Sequence, residues 1–281
     1  MTTTLSGCYH DEMTIVIFDM DGVLYRGDQT LPGAADCIRR LRADKAGIGF
    51  LTNNSGNSRE KYITRLGDHG IDVDIHEIMT SGEATARHLA SLGNPGQRIY
   101  VIGGSGLATT LTSYKFDVDT QDEGDPCDFV VIGWDRKISF NKIARGQHEI
   151  TFNGAKLIAT NADAMFPAEG GRLLPGAGSM VAAVEKASGV RAEIIGKPRP
   201  LSLKYLLDEL GSGSDDPSTV WVIGDRLDTD IACGNAYGAN TVLVTTGISS
   251  RENGQNAVGD MHPDHIIDNL EELSRLISIE S

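Results

Sequence analysis

Short apolar runs alternate along this chain with stretches whose apolar residues recur every three or four positions. The first pattern predicts strands and the second predicts helices. Thr14 to Phe18 reads as a strand. Pro32 to Lys45 sets Ala35, Ile38 and Leu41 at helical spacing. Gly47 to Leu51 reads as a second strand that opens onto TNNSGNS, and Ser58 to His69 as a helix with Tyr62, Ile63 and Leu66 on one face. The alternation returns near the end of the chain. Leu201 to Leu210 predicts a helix, Thr219 to Ile223 a strand opening onto GDRLDTD, Asp228 to Tyr237 a short helix and Thr241 to Val244 a strand. Ile266 and Ile267 suggest an edge strand before a helix from Leu270 to Ile277. Alternation of this kind implies an α/β fold with a Rossmann-like parallel sheet covered by helices.

The middle of the chain, about Gly82 to Gly178, also mixes strands (Arg98 to Ile102, Phe129 to Ile132, Lys156 to Ala159) with helices, and glycine and proline cluster near both of its ends. It predicts a second α/β domain inserted into the first. The expected division is core 1–81, inserted domain 82–178 and core 179–281. Two chain crossings would then join the domains, which suits a hinged lid. There is no convincing fixed-period repeat, and GSGSDDPS at 211–218 reads as a polar loop.

Composition narrows the possibilities. With 281 residues, 40% hydrophobic and 23% charged, the chain suits one large or two medium globular domains. No segment approaches the ~18 consecutive apolar residues of a membrane span. The start, MTTTLSGCYHDEM, lacks the basic and apolar stretches of a secretory signal, so a cytoplasmic location is expected. Cys8, Cys37, Cys127 and Cys233 lie far apart without paired spacing, which argues against a zinc site or a disulfide framework. A net charge of −14 argues against nucleic acid as a partner, because phosphate backbones call for clustered Lys and Arg. Aspartate is abundant and lysine scarce. Two readings of that acidity stand side by side: ordinary solubilising charge, or adaptation to high salt, where dense carboxylates keep a protein solvated and self-repulsion is screened.

The run TIVIFDMDGVLYRG carries the strongest chemical signal. An apolar strand ends in Asp19 and Asp21, and Gly22 then breaks the regular backbone. Carboxylates two residues apart on an extended chain project to the same side and repel. A divalent cation would resolve that conflict. Three further segments fall at strand ends or loops: Thr52-Asn53-Asn54-Ser55, Gly196-Lys197-Pro198, and Gly224-Asp225 with Asp228 and Asp230. In a parallel sheet the C-terminal strand ends lie along one edge, where ligands bind. Asp19 and Asp225 suit Mg²⁺, a hard cation that prefers oxygen. Thr52 and Asn53 offer a hydroxyl and an amide to phosphate oxygens, and Lys197 offers a point charge. Each signal is weak singly; together, in this order, they point to phosphoryl chemistry.

DMDGVLYRG, TNNS, TNADAMFP, GKPRP and GDRLDTDI, spread from about Met13 to Ile277, resemble the haloacid dehalogenase superfamily of phosphatases. The resemblance is nearest to subclass IIA, that of nitrophenyl phosphatases, phosphoglycolate phosphatases and the pyridoxal phosphatase chronophin. It implies that Asp19 is the nucleophile that forms an aspartyl-phosphate. It implies that Asp21 is the general acid and then the base, with its backbone carbonyl facing the metal. Thr52, Asn53 and Asn54 would line the phosphate site, Lys197 would bridge nucleophile and phosphate, and Asp225 would complete a Mg²⁺ site of Asp19, Asp21 and Asp225. Asp230 would buttress that loop from behind, with Asp228 as a rival for the role. In the superfamily a cap enters after the first motif or between the second and third. The spacing leaves room for a domain only between Thr52 and Lys197. Within that cap, Asn161, Asp163 and Phe166 are candidates to line the pocket. Chronophin has a histidine before the proline where this chain has Phe166, which tells against a pyridoxal phosphate preference.

Other features are set aside. VIGGSGL at 101–107 partly mimics a dinucleotide loop but lacks the full spacing. His262 and His265 in HPDH read as solvated loop residues, and Trp134 and Trp221 as packing residues. The expected activity is Mg²⁺-dependent hydrolysis of a small phosphate monoester such as phosphoglycolate, glycerol phosphate, a sugar phosphate or a nucleotide. The alternatives are a phosphoryl-transferring mutase, which must exclude water, and a non-catalytic phosphometabolite-binding protein. Carbon–halogen cleavage fits less well, because Asp21 suits a leaving group that needs a proton. A homodimer through the cap accords with the resemblance.

Overall fold

The computed structural model describes residues 13–93, 95–168, 172–211 and 216–277. Cys8 and residues 212–215 of the polar loop lie outside them. A six-stranded sheet runs in the order His265–Ile267, Asn240–Val244, Val220–Gly224, Ile15–Phe18, Gly47–Thr52, Ile78–Thr80. Every pairing in it is parallel. Ile15–Phe18 lies in the interior and all four of its residues are buried. Helices cover both faces, which is why this strand is a continuous apolar run and not an alternating one. Phe18 stands in register with Ile223 on one side and Phe50 on the other. The segments that leave these three strands therefore emerge side by side.

A second, five-stranded parallel sheet runs in the order Glu193–Ile194, Lys156–Ala159, Phe129–Ile132, Arg98–Ile102, Asp117–Asp119. It draws on strands between residues 98 and 194. The helix Ala177–Ser188 packs on Phe140–Thr151, and Glu193–Ile194 pairs with Lys156–Ala159. Two antiparallel pairs add to these sheets, Tyr25–Arg26 with Gln29–Thr30 and Met165–Ala168 with Arg172–Pro175.

The two sheets share one apolar core. A single cluster joins Ile15, Ile17, Leu51 and Leu203 to Ala86, Leu89, Ile99 and Val131 through the helix Ser81–Leu92. Thr80 starts that helix, its hydroxyl accepting from the Glu83 N–H at 3.0 Å. Glycines allow a second close approach. A Cβ on Gly106 would run into the backbone of Gly56, and one on Gly133 would stand 2.6 Å from Ser55 Oγ. The GGSG stretch is thus a packing device between the two units. The units meet over an apolar surface.

Some boundaries moved. The helix expected from Leu270 is confined to Leu273–Leu276. The Asn269 side chain accepts from the Glu271 N–H at 2.9 Å, and Glu272 from the Asp268 N–H at 3.0 Å, which competes with earlier helix formation. Ile78–Thr80, three residues long, is too short for any period to reveal. Trp221 packs as expected, whereas His265 is part of the edge strand and stacks on Trp221 at 5.7 Å. Cys37, Cys127 and Cys233 are buried and free.

Candidate active site

Asp19 follows the interior strand Ile15–Phe18, and its N–H donates to the Ile223 carbonyl at 2.8 Å. Thr52 ends the strand on one side and Asp225 follows the strand on the other. Gly22, at φ 88°, turns the chain away and donates its N–H to the Tyr25 carbonyl. The topology has thereby brought the first, second and fourth motifs to one edge. The third arrives from the end of the second sheet. Lys197 is 3% exposed, and its ammonium donates to Asp19 Oδ1 at 2.6 Å and to the Leu51 carbonyl at 2.9 Å. It also pairs with Asp230 Oδ1 at 2.6 Å.

Asp230 serves two partners. Its other oxygen accepts the N–H groups of Asp225 and Arg226, at 3.2 and 3.1 Å. A π-helical turn over Leu227–Ile231 brings the side chain back under the loop. Asp228 faces outward and pairs with Arg226 at 3.0 Å, so of the two acids only Asp230 bonds the Asp225 N–H. Asp225 Oδ2 accepts the Ile248 N–H at 2.7 Å.

Three carboxylates against one ammonium leave net negative charge in a buried place. Burial raises the Asp19 carboxyl and Asp230 repels it further; Lys197 opposes this, and the balance stands at about 7. Burial, then Asp230 and Asp19, push Asp225 well above the usual range. Burial raises Asp21 as well, against the pull of Arg65 and Arg26. Burial alone would lower Lys197, but Asp19 and Asp230 outweigh it and hold it protonated.

The donor set fits a hard cation. Asp19, Asp225 and Asp230 each bring one oxygen to within 4.8 Å of the others. Nearby glycines make room: a Cβ on Gly22 would stand 2.6 Å from Asp225 Oδ2, and one on Gly247 would run into that oxygen. An all-oxygen anionic cluster suits Mg²⁺. Asp21 is expected to face the metal through its backbone carbonyl, and this cluster is made of side-chain oxygens alone.

The family description "Haloacid dehalogenase-like hydrolase" matches residues 16–117, and a related HAD-hydrolase-like description matches 194–273. The acid sugar phosphatase of Staphylococcus aureus is 36% identical over 240 residues, which are 85% of this chain and 89% of that protein. The p-nitrophenyl phosphatase from Archaeoglobus fulgidus superposes with a TM-score of 0.84 at 32% identity, covering 95% of this chain and 100% of the other. The glycerol phosphate phosphatase of Mycobacterium tuberculosis, solved with magnesium, gives 0.83 at 31% identity, covering 93% of this chain and 76% of the other. The chain belongs to the haloacid dehalogenase-like hydrolases, among the subclass IIA phosphatases.

In this phosphatase a cleft of about 840 Å³, counting the part open to solvent, gathers most of the expected residues: Asp19, Asp21, Thr52, Asn53, Asn54, Asn161, Asp163, Lys197, Asp225 and Asp230. Both Nδ2 hydrogens of Asn53 and one lone pair of its Oδ1 are engaged inside the protein. Its Nδ2 donates to Asp163 Oδ1 at 3.0 Å and to the Lys197 carbonyl at 2.9 Å, and its Oδ1 accepts the Lys197 N–H at 2.9 Å. Asn54 likewise turns back on its own loop, accepting the Gly56 N–H at 2.8 Å. Thr52 Oγ1 accepts the Asn54 N–H at 3.2 Å and still lines the cleft. Asn161 donates to Asp163 at 2.9 Å. Phe166 falls on the strand Met165–Ala168, and its side chain lies outside the described residues.

The sequence reading missed Tyr25, Arg65, Trp134 and Arg226 on the cleft wall. Trp134 is not merely packing: its indole N–H donates to the Pro175 carbonyl at 3.0 Å, and its ring borders the cleft. No period marks it, since it follows its strand on a loop. Arg65 stands on the helix Arg59–Asp68, stacked over Tyr25 at 4.4 Å. Its position two turns into an amphipathic helix gives it the look of an ordinary surface cation. No helix among the described residues is long and apolar enough to cross a membrane.

Proposed function

We propose that this phosphatase hydrolyses a small-molecule phosphate monoester in a Mg²⁺-dependent reaction through an aspartyl-phosphate on Asp19. The observation that carries the reading is the Lys197 ammonium held between Asp19 and Asp230, beside Asp225, at the ends of adjacent parallel strands. An Asp19 oxygen attacks phosphorus, and the bond from phosphorus to the ester oxygen breaks. Asp21, whose carboxyl burial raises against the pull of Arg65 and Arg26, gives its proton to the departing alkoxide. Asp21 then takes a proton from water as the water oxygen attacks the phosphorus. Inorganic phosphate leaves and Asp19 is restored. Splitting one displacement into two lowers each barrier. Lys197 stabilises the charge on the equatorial oxygens, and Thr52 with the N–H groups of its loop supplies donors. Asp19 and Asp225, with the Asp21 carbonyl, would hold Mg²⁺, which when bound neutralises phosphate charge.

The second sheet, through about residue 195, is read as the cap. Its loop bearing Asn161 and Asp163 closes one side of the cleft. A cleft of this size suits small esters, not a folded phosphoprotein. Sugar phosphates and glycerol phosphate lead the candidates, supported by the activities for which the relatives are named. Phosphoglycolate and nucleotides come after. p-Nitrophenyl phosphate hydrolysis with Mg²⁺ and with EDTA tests the reading, followed by a screen of phosphorylated metabolites. Asp19→Asn retaining full activity would falsify the mechanism. A phosphorylated product in place of free phosphate would favour a mutase.

A further inference from the structure

Asn53 joins three segments that the chain keeps far apart. Its carboxamide meets the backbone of Lys197 on both sides, accepting its N–H at 2.9 Å and donating to its carbonyl at 2.9 Å. The partners are separated by 144 positions. The geometry resembles the paired bonds of a sheet ladder, made by a side chain. The remaining Nδ2 hydrogen serves Asp163, at 3.0 Å from Oδ1 and 3.2 Å from Oδ2. The backbone of Asn53 is fixed in turn, its carbonyl accepting from Ser81 Oγ at 2.6 Å. Gly196 makes the approach possible, since a Cβ there would stand 2.5 Å from Asn53 Oδ1. The residue is buried, and its bonds to Lys197 and Ser81 are sheltered from water, whereas those to Asp163 are only partly so.

We propose that Asn53 is a positioning residue: it sets the Lys197 ammonium against Asp19 and couples that placement to docking of the cap loop through Asp163. The inference rests on the reading of Lys197 as part of the reacting site. Lys197 carries a long side chain that turns toward Asp19 only if its own backbone is held. Asn53 holds that backbone at both peptide groups. Asp163 presents its carboxylate to the same amide, and Asn161 steadies it from the cap side at 2.9 Å. When the cap loop departs, Nδ2 loses one acceptor and the amide is freer to rotate away from Lys197. Cap closure and lysine placement are thus linked by one side chain. Asn53 contacts no substrate in this scheme.

The test uses the full chain with p-nitrophenyl phosphate and Mg²⁺. Asn53→Ala should lower kcat about 10- to 100-fold, the loss expected for buried bonds to a functional group, with KM little changed. Asp163→Ala should lower kcat less, and the double variant should fall no further than Asn53→Ala, because both changes break one linkage. Asn53→Asp should be worse than Asn53→Ala, since it sets a carboxylate against both Asp163 and the Lys197 carbonyl. Adding Asp163→Asn to Asn53→Asp should recover kcat only in part, because it restores the contact between 53 and 163 with the roles exchanged but not the bond to the Lys197 carbonyl. A rise in KM at constant kcat would overturn the proposal in favour of direct substrate contact, and strictly multiplicative losses would remove the coupling. If the Asn53 variants fail to fold, Asp163→Ala alone decides: a kcat equal to wild type under saturating substrate overturns the link. An inactive wild type would count against the phosphatase mechanism, whereas an active one with unresponsive variants would count against Asn53 alone.

Discussion

The Lys197 ammonium lies 2.6 Å from Oδ1 of Asp19, across 178 positions of sequence. The lysine side chain is 3% exposed and that of Asp19 13%, so the pair is largely shielded from solvent. Such a pair is maintained by mutual dependence: either partner left alone would be a buried, unmatched charge.

Lys197→Met should therefore do two things. It should lower kcat at least about 10²-fold, as expected for losing a donor to the transition-state charge. It should also destabilise the metal-free protein by about 3–5 kcal/mol, because Asp19 and Asp230 lose their cation. Urea unfolding in EDTA measures the second effect and stopped turnover the first. Lys197→Arg should not rescue activity, since a planar guanidinium does not fit a site built around a point charge.

Mg²⁺ should raise the unfolding midpoint in a concentration-dependent way, adding about 2.7 kcal/mol of stability at a hundredfold excess over its Kd. Gly247→Ala should blunt that shift, because the added methyl group displaces the Asp225 carboxylate. Differential scanning fluorimetry with a Mg²⁺ titration reads both. An unchanged Mg²⁺ response in Gly247→Ala would place the ion away from Asp225.

Acid stability should depend on Asp119, in the cap. Burial raises its carboxyl, but bonds from Arg145 at 2.8 Å, from the Gln121 N–H at 2.9 Å and from Arg98 at 3.0 Å outweigh this and leave it well below the carboxylate range. A folded-state pKa below the unfolded one makes this stabilisation complete above the unfolded value of about 4 and progressively lost as pH falls beneath it. Unfolding midpoints measured from pH 6 down to pH 3 should drop more steeply in the wild type than in Asp119→Asn. Parallel curves would assign the acid sensitivity to other carboxylates.

The net charge of −14 predicts a salt response. Self-repulsion is screened as ionic strength rises, so the unfolding midpoint should increase between dilute and molar KCl. A flat response would leave the acidity as ordinary solubilising charge.

Which parts of this were legible in advance follows from the range over which sequence patterns act. Ile15–Phe18 and Phe129–Ile132 are four-residue runs buried throughout, and a run of that kind announces an interior parallel strand by itself. The pairing of Glu193–Ile194 with Lys156–Ala159 has no such signature, because two residues carry no period. Trp134 was read as packing for a related reason: a loop residue is assigned to a wall only when the opposite wall is known.

The chain alone determined the α/β class, the placing of Asp19, Thr52, Lys197 and Asp225 at strand ends or loops, and the insertion of a second sheet after Thr52. Those follow from local alternation and from the cost of ending an apolar strand in unpaired acids. Tertiary structure alone decided that Asp230 and not Asp228 turns inward, and that the Asn53 amide serves Lys197 and Asp163. These are choices among similar side chains, settled by which partner a distant segment brings within about 3 Å, a distance no neighbouring residue can encode.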